Sequence, residues 1–187
     1  MRTPGWYVVQ VQTGSESQMC RVIERACAEA DLASDRDEPL LRECFSPQFQ
    51  TQMKYRGEWR YKEKPLLPGY VVAVTADPAT LAHLLRGVPE FSRLLISGET
   101  FVPLREDERV WMEEFTKAGE RTIPMSFAYK KGDTLVVTSG ALVGREGMIT
   151  RVSRRKSLAF VEIDVGGKRV TTTVGLGIVP EDGSADE

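Results

Sequence analysis

Residues 66–76 have the sequence LLPGYVVAVTA, the most continuous apolar run in the first half of the chain. Pro68 and Gly69 predict a turn, and the next turn signal comes at Asp77 and Pro78. Between these turns the residues are apolar and rich in valine, a pattern typical of a strand buried on both faces of a sheet. We therefore expect a central strand here, with neighbouring elements packed around it.

The segments on either side of this strand predict further strands and helices. Residues 6–11 alternate and branch like a strand, and apolar residues recur at helical spacing through residues 19–33. Residues 78–86 predict a short helix with proline in its first turn, and residues 105–117 predict a charged helix with one apolar stripe. This order of elements predicts an α+β fold whose N-terminal part is an α/β sandwich.

Residues 48–64 predict a hairpin or a long excursion with its tip at residues 56–58, in which basic side chains are interleaved with aromatic ones. Its basic and aromatic members are Lys54, Tyr55, Arg56, Trp59, Arg60, Tyr61, Lys62 and Lys64. Such a mixture can stack on bases and neutralise phosphates of nucleic acid. A solvated hairpin whose aromatics pack on the core explains the same residues equally well, and the sequence leaves both interpretations open.

The C-terminal part of the chain is β in character. Short strands are expected over residues 134–138, 147–152, 158–165, 168–174 and 176–179, each followed by a polar or glycine turn. Such a series predicts a small five-stranded β-barrel over residues 130–181, which closes its own edges. Residues 118–129 have no clear pattern and are expected to be a linker, and residues 182–187 are expected to be an acidic tail.

The composition excludes several classes of protein. With 187 residues, 41% of them hydrophobic, the chain can form one domain or two small domains with real cores. No apolar run approaches the roughly 20 residues that span a bilayer, and the N-terminus lacks a signal-peptide pattern. We therefore expect a cytoplasmic protein with no membrane partner.

The net charge of −2 hides a strong asymmetry. Residues 1–117 contain 15 Lys or Arg and 18 Asp or Glu, a net −3, whereas residues 130–180 contain 9 and 4, a net +5. The acidic remainder lies mainly in residues 181–187, which carry 4 acidic residues. The asymmetry predicts two functional units, of which the basic C-terminal one is the better partner for a polyanion.

The sequence offers little for catalysis, so we expect no enzyme, no metal and no cofactor. His83 is the single histidine and has no nucleophile motif beside it, and the cysteines at positions 20, 27 and 44 form no CxxC pair. Cys20 and Cys27 are expected to be small core residues. The glycines of residues 140–147 lie between strands and lack the spacing of a phosphate-binding loop, so turn geometry explains them better.

Several short motifs follow one another along almost the whole chain. They are Trp6-Tyr7-Val8-Val9, Leu67-Pro68-Gly69-Tyr70-Val71, Arg86-Gly87-Val88-Pro89, and Gly132-Asp133 followed by Gly140, Gly144 and Gly147. In order and spacing they resemble the NusG family of transcription elongation factors. The resemblance implies an NGN-like domain over residues 1–117 and an SH3-like KOW barrel over residues 130–181. Leu94-Leu95 and Phe101-Val102-Pro103-Leu104 resemble a specialised paralogue of the LoaP antiterminator type.

The resemblance implies that the NGN-like domain binds the clamp helices of the largest subunit of RNA polymerase. The positions that match are Tyr7, Leu67, Pro68 and Tyr70, with Thr80 as the remaining polar residue of a second contact. Exposed aromatic and apolar groups at a strand edge would anchor such an interface. Tyr7 and Tyr70 could equally be core residues. Upstream or non-template DNA is a further expected partner, and the protein is expected to be a monomer.

The basic residues of the C-terminal part are expected to bind RNA. They are Arg145, Arg151, Arg154, Arg155, Lys156, Lys168 and Arg169. Converging cations can contact phosphates, and RNA hairpins are recognised mainly through shape, backbone and unpaired bases. In LoaP-like members the KOW domain would recognise a leader-RNA hairpin, although a solvated turn is the alternative explanation of this cluster.

These inferences predict a factor that travels with RNA polymerase and promotes processive antitermination. One alternative is a general NusG whose KOW domain binds a termination helicase or a ribosomal protein. The other alternative is a structural KOW protein associated with the ribosome or with RNA, although such a protein would not explain the NGN-like first 117 residues.

Overall fold

The structure is a computed structural model that describes residues 3–34, 36–90, 93–94, 96–97, 100–101, 103–165 and 168–181. Its helices are α1 (Glu16–Leu32), α2 (Pro78–Arg86) and α3 (Glu106–Phe115). Its strands are β1 (Gly5–Gln10), β2 (Glu43–Phe45), β3 (Gln48–Tyr55), β4 (Glu58–Pro65), β5 (Tyr70–Thr75), β6 (Arg93–Leu94), β7 (Ile96–Ser97), β8 (Thr100–Phe101), β9 (Thr122–Ile123), β10 (Ser126–Lys131), β11 (Thr134–Ser139), β12 (Ile149–Ser153), β13 (Leu158–Val165) and β14 (Lys168–Ile178). Within the described ranges, every helix is too short or too polar to cross a membrane.

The chain divides into two compact units, each assembled from separate segments. The first unit contains Met1–Pro47, Leu67–Trp111 and Asp164–Lys168, and the second contains Gln48–Leu66, Met112–Ile163 and Arg169–Glu187. The β3–β4 hairpin and the C-terminal strands therefore belong to the same unit. The domain boundaries expected at residues 117 and 130 stay a prediction.

Strand β5 lies inside the sheet of the first unit, as its sequence predicts. The strand order is β2-β5-β1-β6, and every pairing in this sheet is antiparallel. Val71, Val72 and Ala73 are completely buried, so both faces of β5 are covered. The turn before it is also as expected, because Gly69 adopts a positive φ of 81°, a conformation that glycine adopts without steric cost.

Helices α1 and α2 pack on one face of this sheet. Val9 and Val11, at and just after the end of β1, join Val71 and Ala73 of β5 in a single buried cluster with the apolar sides of both helices. The helices contribute Met19, Cys20, Ile23, Cys27, Leu81 and Leu85. This arrangement confirms the expected α+β fold, with helices packed on a sheet.

The second unit contains the five-stranded sheet that the C-terminal sequence predicts. Its order is β11-β10-β14-β13-β12, and the sheet is curled, which confirms the expected fold class of the C-terminal part. A smaller sheet has the order β4-β3-β9. The predicted hairpin is also confirmed, because β3 and β4 pair in one continuous register from Gln48 opposite Pro65 to Tyr55 opposite Glu58.

One detail of the predicted strands is wrong, because β14 runs without a break through Gly175, where the sequence suggests a turn. Strand β10 begins at Ser126, within residues 118–129, and the linker stays a prediction. A Cβ atom at Gly175 would lie 1.9 Å from the backbone oxygen of Gln50. The glycine therefore permits close approach of a second backbone within a strand, a role that a sequence cannot distinguish from a turn.

Candidate functional site

The turn before β5 is fixed by a buried carboxylate. Glu16, the first residue of α1, accepts a hydrogen bond from the backbone N–H of Gly69 at 2.7 Å and another from Gly14 at 2.9 Å. Burial alone raises the pKa of Glu16, but the N–H donors of Gly69, of Glu16 itself and of Gly14 together outweigh it, so the pKa lies below its ordinary value. The sequence does not indicate this role, because a glutamate at a helix start is usually solvated.

The four residues expected to contact RNA polymerase around β1 and β5 do not form one patch. Tyr7 pairs with Ala73 of β5 and packs against the cluster beneath the helices. Tyr70 pairs with Gln10 and lies three residues before Ala73 on β5, so the side chains of Tyr70 and Ala73 alternate to different faces. Successive side chains of a strand point to opposite faces, so the two tyrosines lie on opposite faces of the sheet. Both are half-buried, and burial raises the pKa of Tyr7. Leu67 is buried and Pro68 is exposed.

Thr80 belongs to the start of α2. Asp77 is the N-cap residue of this helix, and its Oδ1 atom accepts the backbone N–H of Thr80 at 3.1 Å. The pKa of Asp77 lies below its ordinary value, and the largest cause is the Thr80 side chain. The Thr80 backbone N–H and the charge of Arg36 lower this pKa further. Thr80 is therefore engaged in the helix cap through its backbone N–H.

Three of the basic residues expected to bind RNA form one exposed turn. Arg154, Arg155 and Lys156 make a single 3-10 turn between β12 and β13, and all three are exposed. Among the described residues none of the three has a carboxylate partner, and Ser157 closes the turn with a positive φ of 50°. This "basic turn", residues 154–156, presents consecutive cations to solvent, which is the arrangement that phosphate contacts require.

The other basic residues of this set are dispersed or already paired. The guanidinium of Arg151 lies 4.0 Å from the centroid of the Phe160 ring, a cation–π contact that holds it on the face of the sheet. Arg145 forms an ion pair with Glu114 at 3.0 Å, and Arg169 lies 3.7 Å from Glu162. Lys168 begins β14, and its side chain lies outside the described part of the chain.

The aromatic residues of the β3–β4 hairpin face solvent and do not pack on the core. The exposed fractions are 47% for Tyr55, 51% for Trp59 and 63% for Tyr61. Arg56 and Gly57 both have positive φ values, 52° and 90°, which is the geometry of a tight two-residue hairpin turn. The interpretation in which these aromatics cover the core is therefore wrong.

The cysteines and the histidine are the residues with potential metal-binding or nucleophilic chemistry. Cys20, Cys27 and Cys44 are free and buried, which confirms that Cys20 and Cys27 are core residues. Burial, followed by the charge of Asp31, raises the pKa of Cys27 to about 11. His83 is exposed on α2. Within the described ranges, no group of three or more His, Cys, Asp or Glu side chains could hold a metal ion.

Comparison with known proteins places the chain in one family. The family model described as "Transcription termination factor nusG" matches residues 4–113. Proteins described as "Transcription termination/antitermination protein NusG" are similar along most of their length. The one from Rickettsia felis is 24% identical over 163 residues, covering 87% of this chain and 82% of its own, and the one from Campylobacter jejuni is 22% identical over 169 residues, covering 90% and 92%.

A solved structure supports the same fold. The structure described as "Domain interaction in Thermotoga maritima NusG" superposes with a TM-score of 0.55 at 19% identity and covers 94% of both chains. At this identity the likeness concerns the fold alone. The family match extends over more than half of the 187 residues and includes β1, β5 and the helices between and after them. The chain therefore belongs to the NusG family.

Proposed function

We propose that this protein is a transcription elongation factor that binds RNA polymerase and promotes processive antitermination. The NGN-like domain, residues 1–117, would bind the clamp helices of the largest polymerase subunit. A linker over residues 118–129 would connect it to a KOW domain over residues 130–181, which would bind a leader-RNA hairpin. In this proposal the chain is a specialised paralogue of the LoaP antiterminator type.

The observation that carries the RNA part of the proposal is the basic turn. It contains three consecutive exposed cations in a segment with a net charge of +5, within a chain that is acidic overall. Phosphate contacts of this kind supply most of the affinity for nucleic acid and make it depend on salt. Arg145 and Arg169 have carboxylate neighbours, so they are weaker candidates than the basic turn.

The experiment for RNA binding uses the leader RNA of the protein's own operon and a scrambled RNA of equal length. Affinity is measured across a salt series for the full chain and for the Arg154→Ala/Arg155→Ala variant. The Lys130→Ala/Lys131→Ala variant is a control of equal charge loss, because both lysines are exposed at the end of β10. Selective binding that only the first variant loses supports the proposal. Equal loss in both variants, or equal binding of both RNAs, contradicts it.

The polymerase part of the proposal concerns the region around Pro68 and Tyr70. Pro68 is exposed and Tyr70 half-buried on the face opposite to Tyr7, so these two are the first candidates for a docking contact. Leu67 is buried and would support the turn, and Thr80 is engaged in a helix cap. Co-purification with core RNA polymerase should fail for Tyr70→Ala and persist for Leu32→Ala, which changes an apolar residue that is 89% exposed on α1.

A second candidate function is favoured by the names of the relatives. Proteins described as termination/antitermination NusG match about nine-tenths of the chain. If this chain is a general factor of that kind, its KOW domain would bind a termination helicase or a ribosomal protein. A pull-down with the separate proteins then succeeds, while leader RNA binds no better than scrambled RNA.

A further inference from the structure

We propose that one face of the β3–β4 hairpin binds unpaired nucleotides of the RNA that the basic turn contacts. The exposed part of this face, here called the hairpin strip, consists of Met53, Tyr55, Glu58, Arg60 and Lys62, with Arg56 at its outer end. The inference rests on the proposed RNA-binding function and extends it from the basic turn to a second element. Tyr55 would stack on a base, and the cations would contact phosphates on either side of it.

The register of the hairpin defines the strip. Residues directly opposite each other in an antiparallel pair share a face, and alternate residues along one strand share it too. Thr51 lies opposite Lys62, Met53 opposite Arg60, and Tyr55 closes the row near the turn. At the inner end this face is buried, because Thr51 is only 2% exposed, and from Met53 outwards it is open to solvent.

The side chains of the strip have the chemistry of a platform for single strands. The Arg60 guanidinium lies 5.3 Å from the centroid of the Tyr55 ring, and that of Arg56 lies 5.4 Å from the same centroid. An aromatic ring flanked by cations offers a base both stacking and charge neutralisation. Residues 48–65 contain five Lys or Arg and two Glu, a net +3 in a chain whose net charge is −2. This positive charge is complementary to the phosphates of nucleic acid.

A hydrogen bond joins the inner end of the face that carries the strip to the residue that follows the basic turn. The Thr51 hydroxyl donates to the backbone oxygen of Ser157 at 3.0 Å, and Ser157 directly follows residues 154–156. Thr51 is the inner residue of the same face whose outer residues are Met53 and Tyr55. The inner end of the face that carries the strip therefore lies against the residue that follows the basic turn. We infer from this contact that an RNA held by the turn can extend along the hairpin. The contact and the positive charge of the hairpin are why we assign RNA as the occupant.

The opposite face of the hairpin provides an internal control. Trp59 and Tyr61 are also exposed, but they lie opposite Lys54 and Gln52, on the other face. If any exposed aromatic bound bases, Tyr61→Ala would weaken RNA binding as much as Tyr55→Ala. The inference requires that only the Tyr55 variant has a large effect.

The test measures binding of fluorescein-labelled oligouridine, twelve nucleotides long, to the full chain by fluorescence anisotropy across a salt series. We expect Tyr55→Ala to weaken binding at least fivefold at every salt concentration without changing the salt slope, because stacking involves no counterion release. Tyr55→Phe keeps the ring and should bind within twofold of the original protein. Arg60→Gln should instead reduce the magnitude of the salt slope by about 0.7, the change expected for one lost phosphate contact to a single strand.

A variant that is expected to bind RNA more tightly distinguishes a specific effect on binding from misfolding. Glu58 lies opposite Tyr55 and forms an ion pair with Arg60 at 3.1 Å, with both side chains exposed. Glu58→Gln removes a charge that competes with phosphate for Arg60. We expect oligouridine to bind two- to threefold more tightly to this variant, a result that a damaged fold does not produce.

The outcomes separate this inference from the proposed function. If the Arg154→Ala/Arg155→Ala variant loses leader RNA while Tyr55→Ala and Glu58→Gln change nothing, the proposed function stands and the hairpin inference is overturned. Equal effects of Tyr55→Ala and Tyr61→Ala, or tighter binding of the matching oligothymidine than of oligouridine, also overturn it. If neither leader RNA nor oligouridine binds, both proposals fail together.

Discussion

Replacing Glu16 by glutamine should test whether the buried carboxylate organises the turn before β5. The two carboxylate oxygens accept the N–H groups of Gly69 and Gly14 at 2.7 and 2.9 Å, and the residue is 5% exposed. A glutamine can accept with one oxygen only, so its NH₂ group faces the second backbone donor. One lost charge-assisted hydrogen bond in a buried setting costs about 1.5–3 kcal/mol. We expect Glu16→Gln to lower the free energy of unfolding by that amount at pH 7.

The assay is urea denaturation followed by tryptophan fluorescence in a Trp59→Phe background. The remaining tryptophans, Trp6 and Trp111, are both 4% exposed and belong to the first unit, so they report on the unit that contains Glu16. The control is Glu29→Gln, an exposed residue of the same helix, which should change stability by less than about 0.5 kcal/mol. If the two variants have equal stabilities, the carboxylate does not hold the turn and the argument is refuted.

The same variant should have a characteristic pH dependence. The pKa of Glu16 in the folded protein lies below its ordinary value, which is about 4.3 in an unfolded chain. Its contribution is therefore complete above the unfolded-state pKa and is lost as the pH falls through the folded-state pKa. The difference in stability between the original protein and Glu16→Gln should be largest at neutral pH and should shrink below about pH 4. A difference that stays constant down to pH 3 contradicts the assignment.

Three further predictions concern packing, capping and thiol reactivity. Gly175→Ala would place a Cβ 1.9 Å from the Gln50 oxygen and should cost at least about 2 kcal/mol in urea denaturation, whereas Gly147→Ala, with no atom within 4 Å, should be nearly neutral. Asp77→Ala removes the α2 cap, so it should lower the thermal midpoint and reduce the free energy of unfolding by about 1 kcal/mol. Because the pKa of Asp77 is lowered in the folded state, this difference from the original protein should disappear in acid. Cys27, whose pKa is raised to about 11, should react with a thiol reagent at pH 8 only after denaturant is added, and rapid reaction of the native protein would contradict its burial.

The elements that the sequence predicts well are those with a local physical signature. The valine run of β5 lies between turn residues, Asp77 and Pro78 begin α2, and Arg56-Gly57 closes the hairpin. In each case neighbouring residues determine the conformation through backbone sterics or capping. Strand β10 is different, because its alternation of buried Ser126 and Ala128 with half-buried neighbours is short and follows a proline. A pattern of two alternations is too weak to distinguish a strand from a linker.

The candidate sites depended on register, which the sequence does not contain. The pairing of Tyr7 with Ala73 and of Tyr70 with Gln10 places the tyrosines on opposite faces, and a shift of one residue would have placed them together. Register between distant strands is determined by the packing of the buried face. The folded chain also brings carboxylates to two of the basic residues, because Arg145 lies next to Glu114 and Arg169 lies next to Glu162.

Two buried threonine hydroxyls connect the hairpin to the C-terminal sheet. Thr51 donates to the Ser157 oxygen, and Thr172 donates to the Leu66 oxygen, each across 106 residues of sequence. Both hydroxyls are buried with their acceptors, so releasing the hairpin would leave four polar groups to be solvated again. These bonds hold the inner end of the hairpin against the C-terminal sheet. A preorganised surface loses less conformational entropy on binding, which is the physical reason for expecting one RNA to use both elements.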